Sequence, residues 1–89
     1  MTYMYVRHRV ADFDQWLRVF ESHGEAQAES GLRDPQVLRE ASDPNIVVVF
    51  FRVEDLATVR AFIETPEAEK GKVDSGVIGD PEGFFLEEI

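Results

Sequence analysis

A chain of 89 residues, 44% hydrophobic and 30% charged, is long enough for one domain, 1–89, around one modest core. The absence of cysteine excludes disulfides, thiolate catalysis and zinc–thiolate sites. Eighteen acidic against nine basic side chains give a net charge of −9, a field that repels phosphate backbones and anionic lipid, so neither nucleic acid nor membrane is an expected partner.

In chain order, Tyr3 to Val10 reads as a first strand. Ala11-Asp12 then turns into a helix, which Asp12 can cap by accepting an orphan backbone N–H. Phe13, Trp16, Leu17, Phe20 and Gly24 recur at spacings of three and four and form one apolar stripe, with His23 and Gln27 at its edge. Gly24 signals either close packing or a bend, and Ser30-Gly31 closes the helix with glycine in the left-handed position. Leu32 to Pro35 reads as a connection and Gln36 to Ala41 as a shorter strand. The turn Ser42-Asp43-Pro44-Asn45 leads from it into a central strand, Ile46 to Val53. Asp55 caps a second helix, with Leu56, Val59, Phe62 and Ile63 facing inward. Thr65-Pro66 ends that helix and starts a short further one, since proline is tolerated in a first helical turn. Val77 to Pro81 reads as a turn-rich link, and Gly83 to Ile89 as the last strand.

The order β-α-β-β-α-β predicts a ferredoxin-like α+β fold, an antiparallel sheet with its helices on one face. A solitary sheet of this kind alternates apolar and polar residues, one face being wet. These strands do not. Met4, Val6, His8 and Val10, with Val47, Val49, Phe51 and Val53, form the more uniformly apolar set and are assigned to the helices. The other set, Tyr3, Tyr5, Arg7 and Arg9 with Ile46, Val48, Phe50 and Arg52, is aromatic and aliphatic, ending in arginines. Leaving several such residues wet forfeits several kcal/mol at roughly 25 cal/mol per Å², comparable to the stability of a small domain. A homodimer packed through this sheet face is therefore expected.

The segment Tyr5-Val6-Arg7-His8-Arg9-Val10-Ala11-Asp12-Phe13-Asp14-Gln15-Trp16, with Asp43-Pro44-Asn45, Val53-Glu54-Asp55-Leu56, Ala61-Phe62 and Gly76-Val77, resembles the dimeric α+β barrel superfamily. The likeness is to small proteins similar to antibiotic-biosynthesis monooxygenases and cyclase-like relatives, and it extends over nearly the whole chain. It implies two ferredoxin-like units pairing sheet to sheet as a dimeric α/β barrel, each with a cavity between sheet and helices. It also implies cofactor-independent monooxygenation or cyclisation of an aromatic or polyketide-like compound. Non-catalytic binding of a small hydrophobic or aromatic ligand by a stress-associated dimer, and haem binding or degradation, are the alternatives. The monooxygenases use Asn, Trp and sometimes Arg or His around their substrate, and the haem-degrading relatives pair a helix histidine with a strand asparagine. Here only Asn45, in a turn, and Trp16 match the first pattern, and no strand asparagine completes the second.

Two histidines are the candidate catalytic residues. His8 flanked by arginines has the means to be a neutral imidazole near pH 7, acting as base or donor; the plainer reading is a half-buried histidine bonded to backbone or carboxylate. His23, near Trp16 and Phe20, can line a ligand cavity or ligate haem iron, or simply sit on the helix surface. Trp16 is a core residue or a pocket rim. Tyr5, Arg7, Phe50 and Arg52, with Arg9, suit an anionic aromatic ligand through stacking and charge-assisted bonds, and suit inter-subunit ion pairs equally. No metal site and no cofactor are implied. With no leader-like N-terminus and no bilayer-length apolar run, a cytoplasmic protein is expected.

Overall fold

The computed structural model describes residues 1–89. Its elements are β1 (Thr2–Val10), α1 (Phe13–Ser22), α2 (Gly24–Glu29), β2 (Leu32–Arg39), β3 (Ile46–Val53), α3 (Leu56–Ile63), α4 (Pro66–Asp74) and β4 (Val77–Glu87). The strands form one antiparallel sheet in the order β2-β3-β1-β4, the ferredoxin-like α+β arrangement that the sequence predicts. No helix is long and apolar enough to cross a membrane.

The predicted caps form. Asp12 Oδ1 accepts the backbone N–H of Asp14 at 3.0 Å, and Asp55 Oδ1 accepts that of Ala57 at 3.0 Å. Each satisfies one of the amides that a first helical turn leaves unpaired. Thr65 Oγ1 accepts from Ala68 N–H at 3.2 Å, with Pro66 opening α4. The long first helix divides at His23 (φ −95°, ψ 5°) into α1 and α2. Gly24 follows the break, and a Cβ built there meets nothing within 4 Å, so close packing does not require glycine at this position. Gly31, at φ 97°, closes α2 in the left-handed region.

Two strands start well before the sequence reading has them, both because turn-forming residues lie inside strands as bulges. β2 starts at Leu32 instead of Gln36: Arg33 pairs with Arg52 and Gln36 with Phe50, leaving one extra residue between them. Asp34 lies there at φ 50°, a conformation aspartate tolerates, and its carboxylate accepts from Arg52 Nε at 2.8 Å. β4 starts at Val77 instead of Gly83: β1 advances from Arg7 to Arg9 while β4 goes from Glu82 back to Ile78. The segment Gly79-Asp80-Pro81 therefore bows out beside His8.

The register fixes the faces. Met4 opposes Phe51, Val6 opposes Val49 and His8 opposes Val47 on the helix-covered side. Of these, Met4, Val47, Val49 and Phe51 build the core with Val10, Trp16, Leu32, Val53 and Val59, and Val47 and Val59 are wholly buried. On the open side Tyr5 opposes both Phe50 and Phe84, with ring centroids 5.4 and 6.0 Å apart. Phe84 is 56% exposed, and Leu86 and Leu38 are each 43% exposed, so this face carries unburied apolar surface in a single copy.

Candidate functional site

A cavity of about 230 Å³ lies between the inner sheet face and the helices. Val6, His8, Val49 and Phe51 form its floor from the two central strands. Trp16, Val19, Phe20, His23 and Gln27 descend from α1 and α2 at the three-and-four spacing that keeps them on one face. Ala68, Gly71, Lys72 and Ser75 repeat that spacing on and just after α4, and Phe62, Val77 and Pro81 complete the wall. An engineered apolar cavity of about 150 Å³ holds benzene, so this volume accommodates a substituted ring. Trp16 stacks on Phe20 at 4.9 Å and on Phe13 at 5.9 Å, giving a rigid aromatic wall.

His8 is the polar centre of that floor. Its ring lies 5.4 Å from that of Trp16, and its Nε2 is enclosed with no hydrogen-bond partner. Burial lowers its pKa from the ordinary histidine value, because a charged imidazolium is poorly solvated there. The sequence reading credited the neighbouring arginines with this effect. They point to the opposite face of the sheet, and desolvation is the cause. Nor is this the plainer histidine bonded to backbone or carboxylate, since Nε2 has no such partner. A neutral ring can accept a proton or a hydrogen bond through an unpaired nitrogen, and a turn of the His8 side chain brings the enclosed Nε2 to an occupant of the cavity.

His23 stands across the cavity at the α1–α2 break, its ring close over Gly71. A Cβ at position 71 lies 3.3 Å from His23 Cε1, so glycine gives the imidazole its place. A second cavity, also about 230 Å³, adjoins the first along Val6 and Pro81 and is lined by Met4, Ile63, Gly83, Phe84 and Phe85.

The structure thus brings together His8, His23 and Trp16. The other pocket candidates, Tyr5, Arg7, Phe50 and Arg52, do not line the cavity, because alternation along β1 and β3 places them on the opposite face. The charges of the two arginines are matched within the chain. Arg7 pairs with Glu40 at 2.6 Å and Arg52 with Asp34 at 2.8 Å; hydrogen bonding and charge from these carboxylates raise both arginine pKa values further. Arg9 pairs with Asp43 at 2.9 Å, whose own pKa is lowered by the Asn45 backbone N–H and by Arg9. Asn45 is exposed in the β2–β3 turn, its carbonyl accepting from Val10 N–H at 2.8 Å. Sequence reasoning missed the α4 wall. That helix has no apolar stripe, but its small residues and Lys72 fall at positions 68, 71, 72 and 75, a one-face pattern that marks a helix packed beside a space.

No protein-family model matches the sequence, and no curated protein does. Solved structures do. SnoaB, a cofactor-independent oxygenase from Streptomyces nogalater, superposes with a TM-score of 0.80 at 16% identity, covering 99% of this chain and 92% of that one. An antibiotic biosynthesis monooxygenase gives 0.75 at 12% identity over 100% and 99% of the two chains. A conserved protein from Methanosarcina mazei Go1 gives 0.76 at 13% over 99% and 92%. At such identities the likeness is one of architecture, and the chain has the ferredoxin-like α+β fold of the antibiotic biosynthesis monooxygenases.

Proposed function

We propose that this protein binds an aromatic or polyketide-like small molecule between its sheet and helices and oxidises it with dioxygen, without a cofactor. The observation that carries the reading is His8: a neutral imidazole on the cavity floor, beside an aromatic wall, with Nε2 unpaired. The fold shared with a cofactor-independent oxygenase supports it. In this mechanism the His8 ring turns to present Nε2, which then takes a proton from an activated CH₂ of the substrate, flanked by phenolic or carbonyl groups. The resulting carbanion reduces dioxygen, and a C–O bond forms to give a peroxide anion. The imidazolium returns its proton to the terminal oxygen. Loss of the second C–H proton, with cleavage of O–O, then leaves a carbonyl and water. The carbon loses four electrons, which dioxygen gains. Trp16 and Phe20 hold the ring plane, and the apolar lining keeps water from the carbanion.

Oxygen uptake by the purified protein across a panel of polyphenols and anthrone-like tricycles tests this. Uptake stoichiometric with ketone formation, lost in His8→Phe while the fold is kept, is the expected result. Uptake unchanged in that variant removes His8 from the mechanism. Ligand binding with no oxygen uptake assigns the cavity to a non-catalytic binding protein.

A second copy covering the open sheet face belongs to the same reading. Tyr5, Phe50, Phe84, Leu86 and Leu38 lie together there, and burying them against an identical face is favourable at roughly 25 cal/mol per Å².

A further inference from the structure

Eighteen of the 89 residues are acidic, yet none of the 16 that line the cavity is. Apart from the two histidines, the one ionisable side chain in that lining is Lys72, half-buried in the last turn of α4. The chain's other cations are nearly all engaged. Arg7, Arg9, Arg33, Arg52 and Lys70 form ion pairs, while Arg39 and Arg60 lie over the rings of Phe13 and Phe85. Only Arg18, exposed on α1, and Lys72 have neither kind of partner. In a protein with twice as many carboxylates as cations, a cation facing an acid-free cavity lacks its counter-ion where a ligand lies.

We infer that the cavity's ligand is an anion, an aromatic acid whose carboxylate pairs with Lys72 while its ring stacks along Trp16 and Phe20. The inference rests on the aromatic-cavity reading above and deepens it by fixing the charge class of the ligand. An apolar surrounding strengthens a charge-assisted bond to the ammonium relative to the same pair in water. The protein's overall negative field disfavours the approach of such a ligand, so recognition is local to the cavity. The histidines do not substitute for Lys72: a neutral imidazole supplies one donor and no charge.

The test uses two probes of one shape, 4-hydroxycinnamic acid and 4-hydroxycinnamamide, titrated calorimetrically into the full chain at pH 7.5. The acid is expected to bind about tenfold more tightly than the amide. Lys72→Met should lower acid affinity to the amide's level and leave amide affinity within about twofold, while Lys72→Arg keeps the preference. Raising the salt should reduce the acid's advantage and not the amide's. Equal binding of acid and amide by the wild type, or a preference surviving in Lys72→Met, overturns the assignment and leaves the aromatic cavity standing. Binding of neither probe by folded protein overturns the cavity reading and this inference with it.

Discussion

In a His8→Phe variant the enclosed, unpaired Nε2 is replaced by a ring carbon. A buried polar atom without a partner costs about 1–3 kcal/mol, and its removal recovers that cost. The aromatic contact with Trp16, at 5.4 Å in the wild type, is kept. The slightly larger ring can extend into the adjoining cavity, so overpacking removes only part of the gain. The net expectation is a protein about 1 kcal/mol more stable, equivalent to roughly 4–8 °C in Tm for a domain of this size. A pH signature accompanies it. Because the folded His8 pKa lies below its unfolded value, the unfolded chain takes up a proton first as the pH falls below about 6.5. Wild-type stability conferred by the neutral ring is therefore present above that pH and lost on acidification towards the lower folded pKa. The variant lacks this loss. Thermal unfolding from pH 5 to 8, at one fixed protein concentration, measures both effects. A variant less stable at pH 7, with the wild-type pH dependence unchanged, refutes the picture of a neutral, unpaired imidazole.

Phe84→Glu places a charge on the open sheet face, on edge strand β4 against Tyr5; sedimentation equilibrium at micromolar concentration should show the proposed dimer replaced by folded monomer, and a monomeric wild type removes the proposed pairing. Asp55→Ala deletes the carboxylate that accepts the Ala57 N–H, and chemical denaturation should report a loss of about 1 kcal/mol; an unchanged midpoint shows that solvent satisfies those amides equally well.

How much of this was legible in the sequence depended on the kind of pattern. Period-two alternation in β1 and β3 assigns every side chain to its face, including His8 to the helices, because a one-residue slip inverts the whole set. Asp12 and Asp55 announce their helices through the chemistry of unpaired amides. Asp34-Pro35 and Gly79-Asp80-Pro81 misled because the same residues serve isolated turns and bulges within strands, and only pairing with a neighbouring strand distinguishes the two. Of the site, the apolar stripe gave Trp16 and His23, one helical face on the covered side. Tyr5, Arg7, Phe50 and Arg52 are chemically suited to a ligand but lie on the wrong side of the sheet. Lys72 escaped notice because α4 has no apolar stripe, and the one-face spacing of positions 68, 71, 72 and 75 identifies a cavity wall only once the helix is docked.

The outward bow of β4 has a further consequence. Pro81 belongs to the wall of both cavities, while strand pairing resumes on either side, Arg7 opposite Glu82 and Arg9 opposite Ile78. Lengthening or shortening this one arch can therefore resize the chamber and join or partition its two halves while the sheet itself is undisturbed. Changes in ligand length can be accommodated there by insertion or deletion, independently of the imidazole on the floor.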